Sequence, residues 1–85
     1  MNKVYRKTIE KFGVKHQKLK VIEELSELVY SLARSFHDDF NVYSLYEEMA
    51  DVEIMLEQLK MIYDCNSDVE LIKKEKIDRL KGIVL

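Results

Sequence analysis

From Ile22 to Phe36 the apolar residues Ile22, Leu25, Val29, Leu32 and Phe36 recur at steps of three, four, three and four. That period is the 3.6-residue turn of an α-helix, and a strand, whose side chains alternate, cannot produce it. Little in the chain opposes helix: its 85 residues include no proline and two glycines. Proline breaks a helix interior and glycine weakens one. With 47% hydrophobic and 35% charged residues, this is the composition of a folded helical protein rather than a disordered one.

The same reading along the chain predicts four helices and no strands. The first covers about residues 2–12, with Val4, Tyr5, Ile9 and Phe12 on its apolar side, and Gly13 breaks or bends it. The second covers about 15–35, its stripe widened by Val21 and Leu28. Residues 37–41 read as a loop. The third covers about 43–64, with Leu45, Met49, Val52, Leu56, Leu59 and Tyr63 expected to pack inward. Ser44 and Glu47 have the spacing of a capping box at its start. A second box, Ser67 with Glu70, opens a fourth helix over about 68–82, which Gly82 ends.

Two pairs of carboxylates stand out on these helices: Glu24 with Glu27, and Glu48 with Asp51. Each pair is spaced i, i+3, so both side chains share one helix face. Brought together, four carboxylates repel strongly unless cations lie between them. A hard divalent cation such as Mg²⁺ takes oxygen ligands of this kind and leaves room for phosphate. Met55 and Ile62 fall on the same side as Glu48 and Asp51, which predicts that the pair is partly enclosed. The alternative for each pair is a solvated face with helix-supporting contacts such as Lys20 with Glu24.

The net charge of −2 conceals a segregation. Residues 1–20 carry seven basic groups against Glu10 alone, residues 21–64 carry two against eleven acids, and residues 65–85 carry five against four. An acidic centre between basic ends suits a metal site that handles an anion. It equally fits a helical protein with unevenly solvated faces.

Glu23-Glu24-Leu25-Ser26-Glu27 followed by Glu48-Met49-Ala50-Asp51 has the form EExxE…ExxD. Together with their contexts, Val21–Leu28 and Tyr46–Val52, these segments resemble the MazG-like, all-α nucleoside triphosphate pyrophosphohydrolases. That group is related to dimeric dUTPases and phosphoribosyl-ATP pyrophosphohydrolases. The resemblance covers roughly residues 16–64 well and the last helix loosely. It implies a single MazG-like domain over residues 1–85, an all-α four-helix bundle associating as a dimer or a dimer of dimers. It implies cleavage of an NTP or dNTP between the α and β phosphates, in house-cleaning or nucleotide-pool control. By carry-over, Glu24, Glu27, Glu48 and Asp51 hold Mg²⁺, with Mn²⁺ as a substitute. Glu27, with Glu24 close behind, is the candidate proton acceptor for the attacking water.

In the family a basic cluster on the last helix reaches the triphosphate, which selects Lys76 and Arg79 here. Ile77-Asp78 stands between them where the family pattern often has an asparagine. The alternative is a solvated face paired with Glu75 and Asp78. Gln17, with His16, precedes the acidic pair on an element able to face the nucleotide and is a third candidate for substrate binding. Phe36, His37, Phe40 and Tyr43 are candidates to stack on a base, or serve as core or dimer contacts.

Other classes fare worse. A di-iron carboxylate bundle wants Glu-x-x-His, and neither His16 nor His37 stands three residues after a glutamate. Nucleic-acid binding would rest on the basic N-terminus alone. No apolar run approaches a membrane span. The single Cys65 cannot form an internal disulfide, which fits a reducing cytoplasm. A non-catalytic helical interaction module that keeps the acids is the alternative to an enzyme.

Overall fold

Two helix breaks and one loop divide the chain. A computed structural model describes residues 2–85 as α1 (Asn2–Phe12), α2 (Val14–Arg34), α3 (Val42–Tyr63) and α4 (Asn66–Val84), with no strand among the described residues. Gly13 separates α1 from α2 at φ 92°, ψ 153°. That backbone region is essentially closed to residues with a Cβ. Asp64 ends α3 in the left-handed conformation, and α4 begins two residues later.

The helix starts differ from those the sequence suggests. Asn41, not Ser44, caps α3, its side-chain oxygen accepting from the Tyr43 N–H at 2.9 Å. Ser44 therefore lies inside the first turn. No side chain caps α4, which begins at Asn66 ahead of the Ser67–Glu70 pair and runs through Gly82 to Val84. Asn is as good a cap as Ser, and the loop geometry decides between them.

The principal pairing is α2 against α3, with α1 resting on both and α4 meeting α3 alone. Cross-contacts give the direction: Gln17 bonds Gln58, while Glu24 lies by Glu48 and Asp51. Rising numbers on α2 meet falling numbers on α3, so the pair is antiparallel. The inner face of α2 is Gln17, Val21, Glu24 and Ser31; that of α3 is Val52, Met55 and Gln58. Val21, Val52 and Met55 are the buried hydrophobic residues.

The stripe that marks α2 as a helix points away from α3. Ile22, Leu25, Val29, Leu32 and Phe36 are all exposed, Val29 at 68% and Phe36 at 87%. On α3, of the residues expected to pack inward, Val52 is buried and Leu45 and Leu59 are half-buried, but Met49, Leu56 and Tyr63 face out. A helix apolar on one side and acidic on another can give α3 only one of them, and here it gives the acidic side. The accessible surface is 6971 Å², against about 5,300 Å² for a compact monomer of this mass. The radius of gyration is 15.7 Å, against about 12 Å for a compact chain of this length. No helix among the described residues is long and apolar enough to cross a membrane.

The two glycines separate backbone demand from helix propensity. Neither would crowd an added Cβ, but only Gly13 has positive φ. Gly13→Ala should lose about 1–3 kcal/mol of stability in chemical denaturation. Gly82→Ala, inside α4, should gain up to about 1 kcal/mol.

Candidate metal centre

The inner faces of α2 and α3 carry acids at the same level of the helix pair. One carboxylate oxygen each from Glu24, Glu48 and Asp51 lie within 4.8 Å of one another. A second group on α2, Glu23, Glu24 and Glu27, meets the same limit. Glu24 belongs to both. Glu24, Glu48 and Asp51 thus meet across the two helices, whereas Glu27 joins only the group on its own helix, with Glu23 and Glu24.

Their surroundings differ. Glu24 is 7% exposed, Glu48 half-buried, and Glu23, Glu27 and Asp51 exposed. The Glu24 Oε1 faces the Lys20 ammonium at 3.3 Å, and Lys20 also reaches Glu23 at 3.4 Å. The remaining oxygen of Glu24, Oε2, is buried with no hydrogen-bond partner, and so is Oε2 of Glu48. A buried carboxylate oxygen without a partner costs about 1–3 kcal/mol or more, so such atoms are rare without a reason. Two of them, on facing helices beside a third carboxylate, form an oxygen-rich donor set that fits a hard divalent cation.

The electrostatics agree. Burial raises the Glu24 carboxyl above its ordinary range; the Lys20 hydrogen bond opposes this, while Glu27 and Asp51 add to it. Lys20 is itself raised, chiefly by its bond to Glu24. Lys20 answers one oxygen of Glu24 and leaves the other without a partner.

Beside the cluster opens a cleft of about 510 Å³ that includes Glu27 and Glu48 at its wall and continues toward the 35–41 loop. The structure places the substrate-binding candidates elsewhere. Gln17 is buried at 3%; its Nε2 donates to the Gln58 Oε1 at 2.8 Å, and its own oxygen lies 2.7 Å from His16 Nδ1. Lys76 and Arg79 are exposed on α4, which packs on α3 alone, and no ion pair among the described residues joins them to the acids. Sequence reasoning missed Gln58 and gave Lys20 only a helix-supporting role. Gln58 carried a signal, since it follows Met55 by three residues and Val52 by six, on the inner side of α3.

A raised carboxyl has a definite pH signature. At low pH both folded and unfolded chains hold the Glu24 proton, and nothing is lost. As pH rises, the unfolded chain releases it first, so stability falls until the folded carboxyl also ionises, and stays lower above that. Glu24→Gln removes the buried charge. In EDTA at pH 7 this variant should melt a few degrees above the wild type. The gain should vanish near about pH 3.5, where both are uncharged. Millimolar Mg²⁺ should raise the wild-type melting temperature and leave the variant unmoved.

In comparisons with known proteins, no family model, no curated protein and no solved structure matches this chain.

Proposed function

We propose that this chain is a Mg²⁺-dependent nucleotide pyrophosphohydrolase, converting an NTP or dNTP to the monophosphate and pyrophosphate. The observation that carries the reading is the unpartnered buried oxygen of Glu24, set against a second on Glu48. The EExxE…ExxD resemblance supplies the reaction.

In this reading Glu24, Glu48, Asp51 and Glu27 hold the cation. When bound, Mg²⁺ or Mn²⁺ neutralises triphosphate charge and makes a water more acidic. Glu27, exposed at the cleft wall, accepts the proton of the attacking water, with Glu24 as the second choice. The two helices fix these groups before substrate arrives, so little reorganisation accompanies the reaction. A reducing cytoplasm suits the free thiol of Cys65.

The reading includes a homodimer or dimer of dimers. Its support is the outward stripe of α2, continuing into an open groove lined by Val14, Leu19 and Ile22 with Lys15 and Lys18, and the bare apolar residues Leu80 and Ile83 of α4. The surface in excess of a compact monomer, about 1,700 Å² per chain, is of the size that obligate interfaces cover. Lys76 and Arg79, which no ion pair among the described residues joins to an acid of α2 or α3, would serve the triphosphate of a neighbour.

A second reading, a non-catalytic helical module that keeps the metal site, draws on one fact: among the described residues Lys20 is the basic residue paired with the cluster. Turnover separates the two. Wild-type protein should release pyrophosphate and a monophosphate from a nucleotide panel with Mg²⁺, and release none in EDTA. Glu27→Gln and Asp51→Asn should keep their helical circular dichroism and lose turnover by at least about a hundredfold. Full activity in both variants would overturn the site assignment. Mg²⁺ binding with no pyrophosphate from any nucleotide would leave the module.

The assembly is tested separately by sedimentation. Wild type should run as a dimer or larger at micromolar concentration, and Val29→Glu should shift it to monomer. A wild-type monomer would refute the assembly.

A further inference from the structure

Glu24 belongs to both acidic groups, and a cation of the chain's own already stands against it. The Lys20 ammonium lies 3.3 Å from the Glu24 Oε1 and 3.4 Å from the Glu23 Oε1. One ammonium thus bridges two of the three acids clustered on α2. Among the described residues no other basic side chain pairs with Glu23, Glu24, Glu27, Glu48 or Asp51. The contact differs from an ordinary solvated i, i+4 pair, because the Glu24 side chain is 9% exposed. Its other oxygen, Oε2, is buried with no partner and belongs to the same carboxylate that Lys20 holds.

An ammonium and a divalent cation make competing claims on such a group. The ammonium carries one charge on a flexible stem and is readily hydrated, so it can leave for water. A hard divalent ion carries two charges and takes several oxygens at once. A divalent ion on the free oxygens of Glu24 and Glu48 would share the Glu24 carboxylate with a like charge. Like charges repel, most strongly where burial keeps water out. Either Lys20 stays and repels the ion, or it turns to solvent and its pairings with Glu23 and Glu24 are lost. Both routes weaken metal binding. A lysine that merely fixed the orientation of Glu24 would act in the opposite sense, since its removal would loosen the ligand set.

Resting on the metal reading of the acidic site, and not on hydrolysis, we infer that Lys20 is a tethered counter-cation of that site: it holds Glu23 and Glu24 when no divalent ion is bound, and it competes with the divalent ion for Glu24. The ammonium that limits repulsion across the seam therefore also limits the affinity for metal. Lys20 is a positioning residue and not a metal ligand.

The test is a calorimetric titration of Mg²⁺ alone, without nucleotide, into the full chain and four variants. Lys20→Met keeps a long side chain of good helix propensity and removes its charge. It should bind Mg²⁺ at least about tenfold more tightly than wild type. Lys20→Gln, a second neutral variant, should tighten binding in the same sense. Lys20→Arg, which keeps the charge, should stay near the wild-type affinity. Lys18→Met removes an equal charge two residues away, from a side chain that lies over the Tyr63 ring. It should also stay near wild type, which separates local competition from a change in net charge. Lys20 has a side chain 40% exposed, so helical circular dichroism should be the same in all five proteins. Unchanged or weaker Mg²⁺ binding in both neutral Lys20 variants, or equal tightening in Lys18→Met, would overturn the inference and leave the metal reading standing. No Mg²⁺ binding by any of the five would overturn the metal reading and the inference with it.

Discussion

Repulsion between carboxylates held across the α2–α3 seam is the constraint on which the rest of the structure turns. With their oxygens within 4.8 Å of one another, two ionised carboxylates repel by up to about 3 kcal/mol at an intermediate dielectric, and by less where water screens the exposed Asp51. The upper value is as large as the gain from burying one aliphatic side chain. Against it the seam sets a buried core of Val21, Val52 and Met55 and a pair of bonded amides. Such a seam is poorly stabilised by its own apolar contacts. Glu24 has three forms of relief: the Lys20 ammonium, a retained proton, or a cation. The first is present, the second is favoured by its raised carboxyl, and the third is what the unpartnered oxygens of Glu24 and Glu48 would accept.

The division into helices was legible because it rests on local rules. The 3.6-residue period, Gly13 and the polar 37–41 stretch place all four elements to within a residue or two, and the i, i+3 spacing places each acidic pair on one face. The caps were not legible, because Asn41 and Ser44 are equally good first-turn signals and only the path of the loop separates them. Nor was the orientation of α2. A hydrophobic stripe reads as an inner face, yet Ile22, Leu25 and Val29 lie outside while Gln17, Glu24 and Ser31 lie within. Periodicity reveals that a face exists and says nothing of what covers it. Within the site, Glu24 and Glu48 could be paired from sequence. The burial of one and the orphaned oxygens of both depend on the antiparallel register, which no local pattern encodes.

The outward stripe and the polar seam are two results of one choice. Had α2 turned its stripe toward α3, the acids would have been fully solvated and their charges screened. With the acids inside, the apolar face is left open, as the large accessible surface and the extended radius record. Under the proposed assembly, that exposed area and the charge confinement are linked: whatever covers the stripe stabilises the arrangement that keeps the carboxylates close.

The Gln17–Gln58 bond acquires a meaning from this. Two helices forced apart by charge can slide or splay. Sliding by one turn, about 5.4 Å, would separate the two buried amides and leave the Gln17 Nε2 and the Gln58 Oε1 without their partners, at about 1–3 kcal/mol apiece. Splaying at the acidic level leaves the amides joined. The amide bond therefore opposes sliding of one helix along the other, while it leaves the spacing of the carboxylates at the acidic level to their own charges and partners.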